Sequence, residues 1–157
     1  MKYITLKKLR ELNACPSAII RFRNKFGKNG KIHVKKSIKM LHENKDSNGH
    51  SRWLFDKFNL TGICYNYYSG GKIFYKSYYK NGELNGERIH YYDNGNIACK
   101  ANFKDDLRHG ECIVYYDTGK IACKENYENG KLHGEYISYY DNGKIHYKAN
   151  YKNGKLI

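Results

Sequence analysis

The chain has little of what membrane-spanning, secreted or zinc-binding proteins usually carry. Its 157 residues include one proline, so no proline-rich linker is expected between domains. No run of about 18 apolar residues occurs, and no helix is expected to span a membrane. The start of the chain lacks the apolar segment of a secretory signal. The five cysteines form no Cys-x-x-Cys pair, which is typical of reduced thiols in a cytosolic protein. We therefore expect a cytoplasmic protein.

Acidic residues are also scarce, and the resulting positive charge is unevenly spread. The chain has 29 Lys and Arg against 15 Asp and Glu, a net charge of +14. Residues 1–58 hold 15 basic and 4 acidic residues, whereas residues 59–157 hold 14 and 11. A basic segment of this kind attracts nucleic acid, acidic proteins or anionic membranes. We accordingly divide the chain into a basic N-terminal segment, 1–58, and a second domain, 59–157.

The N-terminal segment is expected to form short helices. Thr5 is placed to cap the first of them. Pro16 suits the first position of a second helix, which Gly27 would end. A third helix is expected over residues 37–42, and a last one packs through Trp53 and its neighbours.

The second domain follows a 24-residue period. Three sets of residues show it: Gly62, Gly86, Gly110 and Gly134; Gly71, Gly95, Gly119 and Gly143; Ile73, Ile97, Ile121 and Ile145. Apolar and polar residues alternate within each unit, and turns are expected at Asn94-Gly95, Thr118-Gly119 and Asn142-Gly143. Because one such unit cannot bury its apolar side alone, the units must stack. The predicted fold is mainly β, a stack of about four 24-residue β-hairpins in a twisted antiparallel sheet, capped by the small N-terminal helical segment.

Strict alternation along the strands predicts which side chains share a face. The packed face is expected to hold the isoleucine columns and the residues in phase with them: Ile89, Ile113, Ile137, Ile97, Ile121, Ile145, Tyr75, Cys99, Cys123 and Tyr147. The opposite face is expected to hold one tyrosine and one lysine per unit: Tyr68, Tyr92, Tyr116, Tyr140, Lys76, Lys100, Lys124 and Lys148. In the second unit, the leucine of the turn between units is Leu107, directly after Asp105-Asp106. It lies one residue earlier in the 24-residue period than the corresponding leucines of the other units.

The pattern Gly-Glu-x-x-x-Tyr-Tyr-Asp-Asn-Gly-Lys-Ile, followed by Tyr-x-Asn-Gly-Lys-Leu-x-Gly, resembles the MORN repeat over residues 60–157. It is most similar to the MORN-2 variant of bacterial antitoxin-like proteins. Leu9-x-x-Leu12, Phe22-x-x-x-Phe26-Gly27 and Trp53-Leu54 resemble an N-terminal helical segment of phage and bacterial proteins of unknown role. The MORN resemblance implies a sheet that binds a partner or faces lipid, and not an enzyme.

Two basic surfaces are the candidate partner-binding sites. The densest N-terminal runs supply Arg21, Arg23, Lys35 and Lys36, an electrostatic footprint for nucleic acid or an acidic protein. In the repeats, the column Lys76, Lys100, Lys124 and Lys148 would offer cations beside the stacking surfaces of Tyr92, Tyr116 and Tyr140. A solvated face that only keeps the protein soluble explains both patterns as well.

Catalytic and metal sites are not expected. Glu87, Glu111 and Glu135 recur with the repeat and so have one structural role, whereas an active site needs convergent, differently tuned groups. Cys99 and Cys123 occupy one column, but cysteines that stand singly on strands lack the spacing of a zinc site. They are better explained as small apolar fillers. We predict no metal and no cofactor.

The function that fits these features is a non-enzymatic interaction module that neutralises a protein or nucleoprotein partner. It would be antitoxin-like, or a phage-encoded anti-defence inhibitor of a nuclease complex, of the anti-CRISPR type. Two alternatives stay open: a membrane- or lipid-associated scaffold, and a nucleic-acid-binding protein acting through the basic N-terminal third. The last six residues open a fifth unit, so their edge strand is a candidate for homodimerisation.

Overall fold

The computed structural model describes residues 3–12, 14, 16–29, 31–34, 37–39 and 50–157. Its N-terminal part consists of short elements: β1 (Tyr3–Thr5), α1 (Leu6–Glu11), α2 (Pro16–Phe26), β2 (Lys31–His33) and α3 (His50–Lys57). Residues 37–39 are helical, and the rest of the helix predicted there lies outside the described residues. Within the described part of the chain, no helix is long and apolar enough to cross a bilayer.

Local chemistry sets the ends of the first two helices, as the sequence predicts. The hydroxyl of Thr5 accepts a hydrogen bond from the backbone N–H of Lys8 at 3.1 Å and caps α1. Helix α2 begins at Pro16 and ends before Gly27, whose φ of 71° is the left-handed geometry of a helix end. The antiparallel pairing of β1 with β2 is an element that the sequence analysis missed.

A small apolar core holds these elements together. Ile4 of β1 and Ile32 of β2 lie opposite each other and are buried. They pack with Leu9 of α1, Phe22 of α2 and Leu54 of α3. Burying each of these side chains contributes about 1.5–3 kcal/mol. The N-terminal segment is therefore a packed unit with its own core, and α3 joins that core to the rest of the protein.

Residues 62–157 form a single antiparallel meander. Its strands are β3 (Gly62–Tyr67), β4 (Ile73–Lys80), β5 (Glu83–Tyr91), β6 (Ile97–Lys104), β7 (Leu107–Tyr115), β8 (Ile121–Glu128), β9 (Lys131–Leu132), β10 (Gly134–Tyr139), β11 (Ile145–Lys152) and β12 (Lys155–Leu156). Strands that follow each other in the chain are neighbours in the sheet, except that β8 pairs with both β9 and β10. The predicted stack of four hairpins is confirmed.

The turns between repeats have two residues with positive φ, which is type I′ geometry. Asn81-Gly82, Asn129-Gly130 and Asn153-Gly154 supply the residues that tolerate it best. Asp105 and Asp106 adopt the same conformation without glycine, with φ of 51° and 64°. The turn is held because a carboxylate oxygen of Asp106 accepts a hydrogen bond from the backbone N–H of Leu84 at 2.8 Å.

The register contradicts the predicted division of side chains between the faces. Ile89 lies directly opposite Lys100, and Ile113 lies opposite both Lys100 and Lys124. Residues opposite each other in a ladder point to the same side of the sheet. The isoleucines of the first strands therefore share a face with the lysines, instead of packing away from them.

The cause is a β-bulge near the start of the second strand of each repeat. In β6, Ile97 pairs with Tyr91 and Cys99 pairs with His90, so Ala98 is an extra residue. One extra residue reverses the alternation that follows it. Ile97 thus lies on the face of Ile89 and the lysines, and Cys99 lies on the other. The same register shift recurs in the other three repeats.

We call the two faces the lysine face and the cysteine face. The lysine face carries Lys76, Lys100, Lys124 and Lys148, and the cysteine face carries Cys64, Cys99, Cys112 and Cys123. The cysteine face of the first repeat is covered by α3, where Phe55 stacks on Tyr79 at 5.3 Å between ring centroids and packs with Leu84. This contact is the predicted N-terminal cap. In the described part of the chain, the extensive contact between a helix and the large sheet is that of α3 with β3.

Candidate functional site

The lysine face is the first candidate surface, and its lysines alternate with apolar residues. Across the strands, the central row reads Tyr65, Lys76, Ile89, Lys100, Ile113, Lys124, Ile137 and Lys148. Successive lysines are two strands apart, a spacing of about 9–10 Å. A second row, next to the bulges, pairs a tyrosine with an isoleucine in each repeat: Tyr67 with Ile73, Tyr91 with Ile97, Tyr115 with Ile121, and Tyr139 with Ile145.

Glutamates largely balance the charge of these lysines. Glu87, Glu111 and Glu135 lie two residues before the isoleucines of the central row, and so on the same face. The ammonium of Lys148 lies 2.6 Å from a carboxylate oxygen of Glu135. The column of four lysines is therefore accompanied by a column of three glutamates, which offsets much of its charge. As an electrostatic footprint for phosphates, it is weaker than the lysine column alone suggests.

Two of the three candidate tyrosines serve the repeat stack itself. The hydroxyl of Tyr92 donates a hydrogen bond to the backbone carbonyl of Tyr115 at 2.7 Å, and Tyr116 does the same to Tyr139 at 2.6 Å. Each bond ties one repeat to the next. Tyr140 differs, since it is 51 % exposed and its ring lies against His146. Of the three predicted contact tyrosines, Tyr140 is thus the one whose ring is most available to a partner.

A polar side chain in each of the first three hairpin turns also donates a hydrogen bond to a backbone carbonyl of the next repeat. The ammonium of Lys72 donates to the backbone carbonyl of Asp93 at 2.6 Å, and Lys120 donates to that of Asp141 at 2.7 Å. In the repeat between them, the amide of Asn96 donates to the carbonyl of Asp117 at 2.7 Å. Much of the polar surface at the hairpin ends is therefore used to hold the stack together.

A basic cleft in the N-terminal unit is the second candidate surface. It has a volume of about 660 Å³ and lies between α1, the end of α2 and the turn that follows. Its lining residues are Leu6, Lys7, Arg10, Glu11, Arg23 and Lys28. Glu11 is held by the ammonium of Lys8 at 3.4 Å, which offsets its charge. Four cations thus face one opening, as a binding site for an anionic group requires.

Only part of the predicted N-terminal site can be placed. Arg23 lines the cleft. Lys35, Lys36 and the side chain of Arg21 lie outside the described residues. The sequence analysis missed Lys7 and Arg10 as site residues, although their spacing of three on a helix puts them on one side of α1.

A cluster of polar side chains occupies the cysteine face of the second and third repeats. Because the leucine of the second repeat stands one place early, Arg108 takes the position that Leu84 has in the first repeat. Its guanidinium lies 3.7 Å from a carboxylate oxygen of Glu125 and donates to the hydroxyl of Tyr127 at 3.0 Å. Burial, together with the Glu125 carboxylate, raises the pKa of Tyr127 to about 12.

Two thiols lie against this cluster. The Sγ atoms of Cys99 and Cys112 are 3.7 Å apart. Cys123 lies in the same row as Cys99, with the strand of Val114 between them. Among the described residues, no three His, Cys, Asp or Glu side chains are grouped so that they could hold a metal ion.

Comparison with known proteins adds one family assignment. No curated protein matches the chain. Among solved structures, a mutant of S. aureus TarM in complex with Fondaparinux, alpha-GlcNAc-glycerol and UDP is 18% identical. The match has a TM-score of 0.37 and covers 96% of this chain and 33% of that chain. A TM-score this low does not indicate a shared fold. The family model of the MORN repeat variant matches residues 60–81, 84–105, 108–129 and 132–153. Each match contains one hairpin of the sheet, and together they cover more than half of the sequence. The chain belongs to the MORN repeat variant family.

Proposed function

We propose that the protein is a non-enzymatic interaction module that binds a protein partner along its lysine face and neutralises it. The observation that supports this proposal is the lysine face itself, a surface that continues across all four repeats. It runs across about nine strands, roughly 40 Å at the usual strand spacing. Half-exposed isoleucines and tyrosines lie along its whole length. A continuous apolar surface rimmed by polar residues is typical of a protein-binding site.

The charge pattern of the lysine face favours a protein over a nucleic acid as its partner. A phosphate-binding surface neutralises its ligand with unpaired cations. On the lysine face a column of three glutamates accompanies the column of four lysines, and Lys148 is paired with Glu135. Alternating apolar and oppositely charged side chains instead match the apolar centre and polar rim of a protein interface. The finer assignment, an antitoxin-like protein or an inhibitor of a nuclease complex, rests on the repeat type and the basic N-terminal segment.

The basic cleft supports a second candidate function, nucleic-acid binding. Lys7, Arg10, Arg23 and Lys28 line it together, and Lys8 offsets its one carboxylate. An unpaired cluster of this kind suits a phosphate backbone, and its affinity would fall steeply with salt. It also suits an acidic segment of a protein that docks on the lysine face, which would make the cleft part of one extended interface.

Two variants separate the surfaces. Ile113→Glu places a charge in the centre of the lysine face, on a half-exposed side chain. Arg23→Glu/Lys28→Glu reverses two charges of the cleft. Both are compared with the unmodified protein as baits in lysate with and without nuclease. The proposal expects a protein that is retained after nuclease treatment, is lost from Ile113→Glu, and stays on the cleft variant at high salt.

Other outcomes would support the alternatives. Capture that disappears with nuclease, or only with the cleft variant, favours the nucleic-acid-binding protein. Sedimentation with anionic phosphatidylserine vesicles, lost with Ile113→Glu and without a protein partner, favours the lipid-associated scaffold. Equal capture by all three baits would reject both surfaces as the binding site.

A further inference from the structure

Cys99 and Cys112 form a thiol pair that the sequence analysis treated as packing. They lie on the neighbouring strands β6 and β7. Cys99 is opposite Val114 and Cys112 is opposite Ala101, so the two cysteines are diagonal neighbours, offset by two residues. Diagonal neighbours on one face of an antiparallel pair are within reach of each other's side chains. Their Sγ atoms are 3.7 Å apart, and a disulfide bond of about 2.05 Å requires the two strands to shift as well as the side chains to rotate.

The surroundings make the two thiols unequal. Cys112 is buried, whereas Cys99 is half-buried and can be reached by a small molecule. The hydrogen bond between the two thiols, with the guanidinium of Arg108 nearby, lowers the pKa of Cys99. The same contact raises the pKa of Cys112. Of the two thiols, Cys99 is therefore the more acidic.

The groups near Cys99 act on its pKa in opposite directions. Arg108 on β7 and Arg88 on β5 favour the thiolate, while burial and Glu125 on β8 oppose it. Cys123, one repeat further on, also interacts with Cys99. His90 lies directly opposite Cys99, and burial lowers its pKa, so it is neutral near pH 7. The hydrogen bond to Cys112 and the two guanidinium groups together outweigh burial and the carboxylate.

Cys123 is a matched comparison within the same chain. It lies in the row of Cys99 on the cysteine face, one repeat further on. Its thiol lies 3.5 Å from a carboxylate oxygen of Glu125, and burial together with that carboxylate raises its pKa to about 12. Two cysteines in the same column therefore have pKa values shifted in opposite directions.

We propose that Cys99 and Cys112 form a reversible thiol–disulfide site, modified by low-molecular-weight disulfides such as oxidised glutathione. The Cys99 thiolate attacks one sulfur of oxidised glutathione, forming a mixed disulfide and releasing one glutathione thiolate. Cys112 then loses its proton to solvent, and its thiolate attacks the Cys99 sulfur and releases the second glutathione. The two protein thiols are oxidised to one disulfide, and one glutathione disulfide is reduced to two thiols.

The wild-type protein provides the first test. The folded protein is incubated with oxidised glutathione at pH 7.5, quenched with acid and digested without reduction. The proposal expects one cross-linked peptide pair containing Cys99 and Cys112, reversed by dithiothreitol. Unchanged free thiols after prolonged incubation, or a stable mixed disulfide at another cysteine without this cross-link, would overturn it.

Serine variants distinguish the thiol that attacks oxidised glutathione from the thiol that resolves the mixed disulfide. Cys112→Ser removes the resolving thiol, so a mixed disulfide should accumulate at Cys99. Cys99→Ser should abolish both products, and Cys123→Ser should behave like the wild type. The proposal requires that the cross-link forms at the wild-type rate in Cys123→Ser. It also requires that no adduct forms in Cys99→Ser. If Cys112→Ser fails to trap an adduct, Cys99 is not the attacking residue.

The rate of alkylation gives an independent measurement. Iodoacetamide should modify Cys99 at least about tenfold faster than Cys123 near neutral pH, because it reacts with thiolates. The rate at Cys99 should rise through a pH of about 7, and Cys112→Ala should move that midpoint upward by removing the hydrogen-bond donor. Equal rates at the two cysteines, or an unmoved midpoint, would contradict the proposed site.

Discussion

The tyrosine hydroxyls that link neighbouring repeats should contribute measurably to stability, and the chain contains its own control. Tyr116→Phe removes one oxygen that donates to the carbonyl of Tyr139 at 2.6 Å, and it leaves the ring in place. A net hydrogen bond in a protein contributes about 0.5–1.5 kcal/mol. Tyr92→Phe removes the equivalent link to the carbonyl of Tyr115 at 2.7 Å and should cost a similar amount.

The control is Tyr140→Phe, in the same column of the last repeat. Tyr140 is 51 % exposed, and among the described residues its hydroxyl makes no bond like those of Tyr92 and Tyr116. A substitution at such a position should change the free energy of unfolding by less than about 0.5 kcal/mol. Because all three variants remove the same atom from the same residue type, their differences report the inter-repeat bond alone.

Urea unfolding followed by circular dichroism provides the measurement. The double variant Tyr92→Phe/Tyr116→Phe should lose about 1–3 kcal/mol, the sum of two such bonds. For a domain of this size, each kcal/mol lowers the melting temperature by about 2–4 °C. Since stacked repeats are held by nearest-neighbour interfaces, the transition should also broaden. Equal unfolding midpoints for Tyr116→Phe and Tyr140→Phe would refute the structural role of these hydroxyls.

Three further predictions concern backbone, packing and protonation. Gly82→Ala should destabilise more than Gly95→Ala in thermal unfolding. Both glycines have positive φ, but a Cβ at Gly82 would lie 3.0 Å from the Cα atom of Asn59, whereas a Cβ at Gly95 would meet no atom within 4 Å; equal losses would contradict this. Ile121→Ala should cost less than the roughly 2–5 kcal/mol of a fully buried position such as Leu54→Ala, because Ile121 is half-buried, and urea midpoints test the difference. Burial lowers the pKa of His90 below 6.5, so the folded state binds fewer protons than the unfolded state and stability should fall as pH drops below 6.5. His90→Asn should flatten that slope, and an unchanged slope would remove His90 as its source.

The repeat architecture could be predicted from the sequence because its signals are local and recur. The Asn-Gly turns need positive φ, and Gly82 and Gly95 have it. Helix ends at Thr5 and Gly27 follow from capping chemistry. The assignment of faces was wrong, because it assumed strict alternation along each second strand. A one-residue bulge leaves almost no trace in composition, yet it moves Ile97 and its equivalents to the other side of the sheet.

The same reasoning explains which features of the candidate sites the sequence could not predict. The lysine column was predicted as a cationic ladder, but the glutamates that balance it are two residues away from the central row, and only the register shows that they share its face. The basic cleft needs three separate segments to meet, which no periodic pattern reports. In both cases the charge of the surface depends on which distant residues the fold brings together, and the residue types alone do not show this.

In a repeat protein, equivalent positions have nearly equivalent surroundings, so distinctive chemistry must arise where the repeats differ. The thiol pair on the cysteine face is such a place. The residues equivalent to Cys112 in the adjacent repeats are Arg88 and Tyr136, so the pair with Cys99 forms once in the sheet. The cation beside it, Arg108, stands where the neighbouring repeats have leucine. The shifted Leu107, which places Arg108 beside the pair, and the presence of Cys112 therefore distinguish Cys99 from Cys123. The pKa of Cys99 is lowered, whereas that of Cys123, one repeat away, is raised.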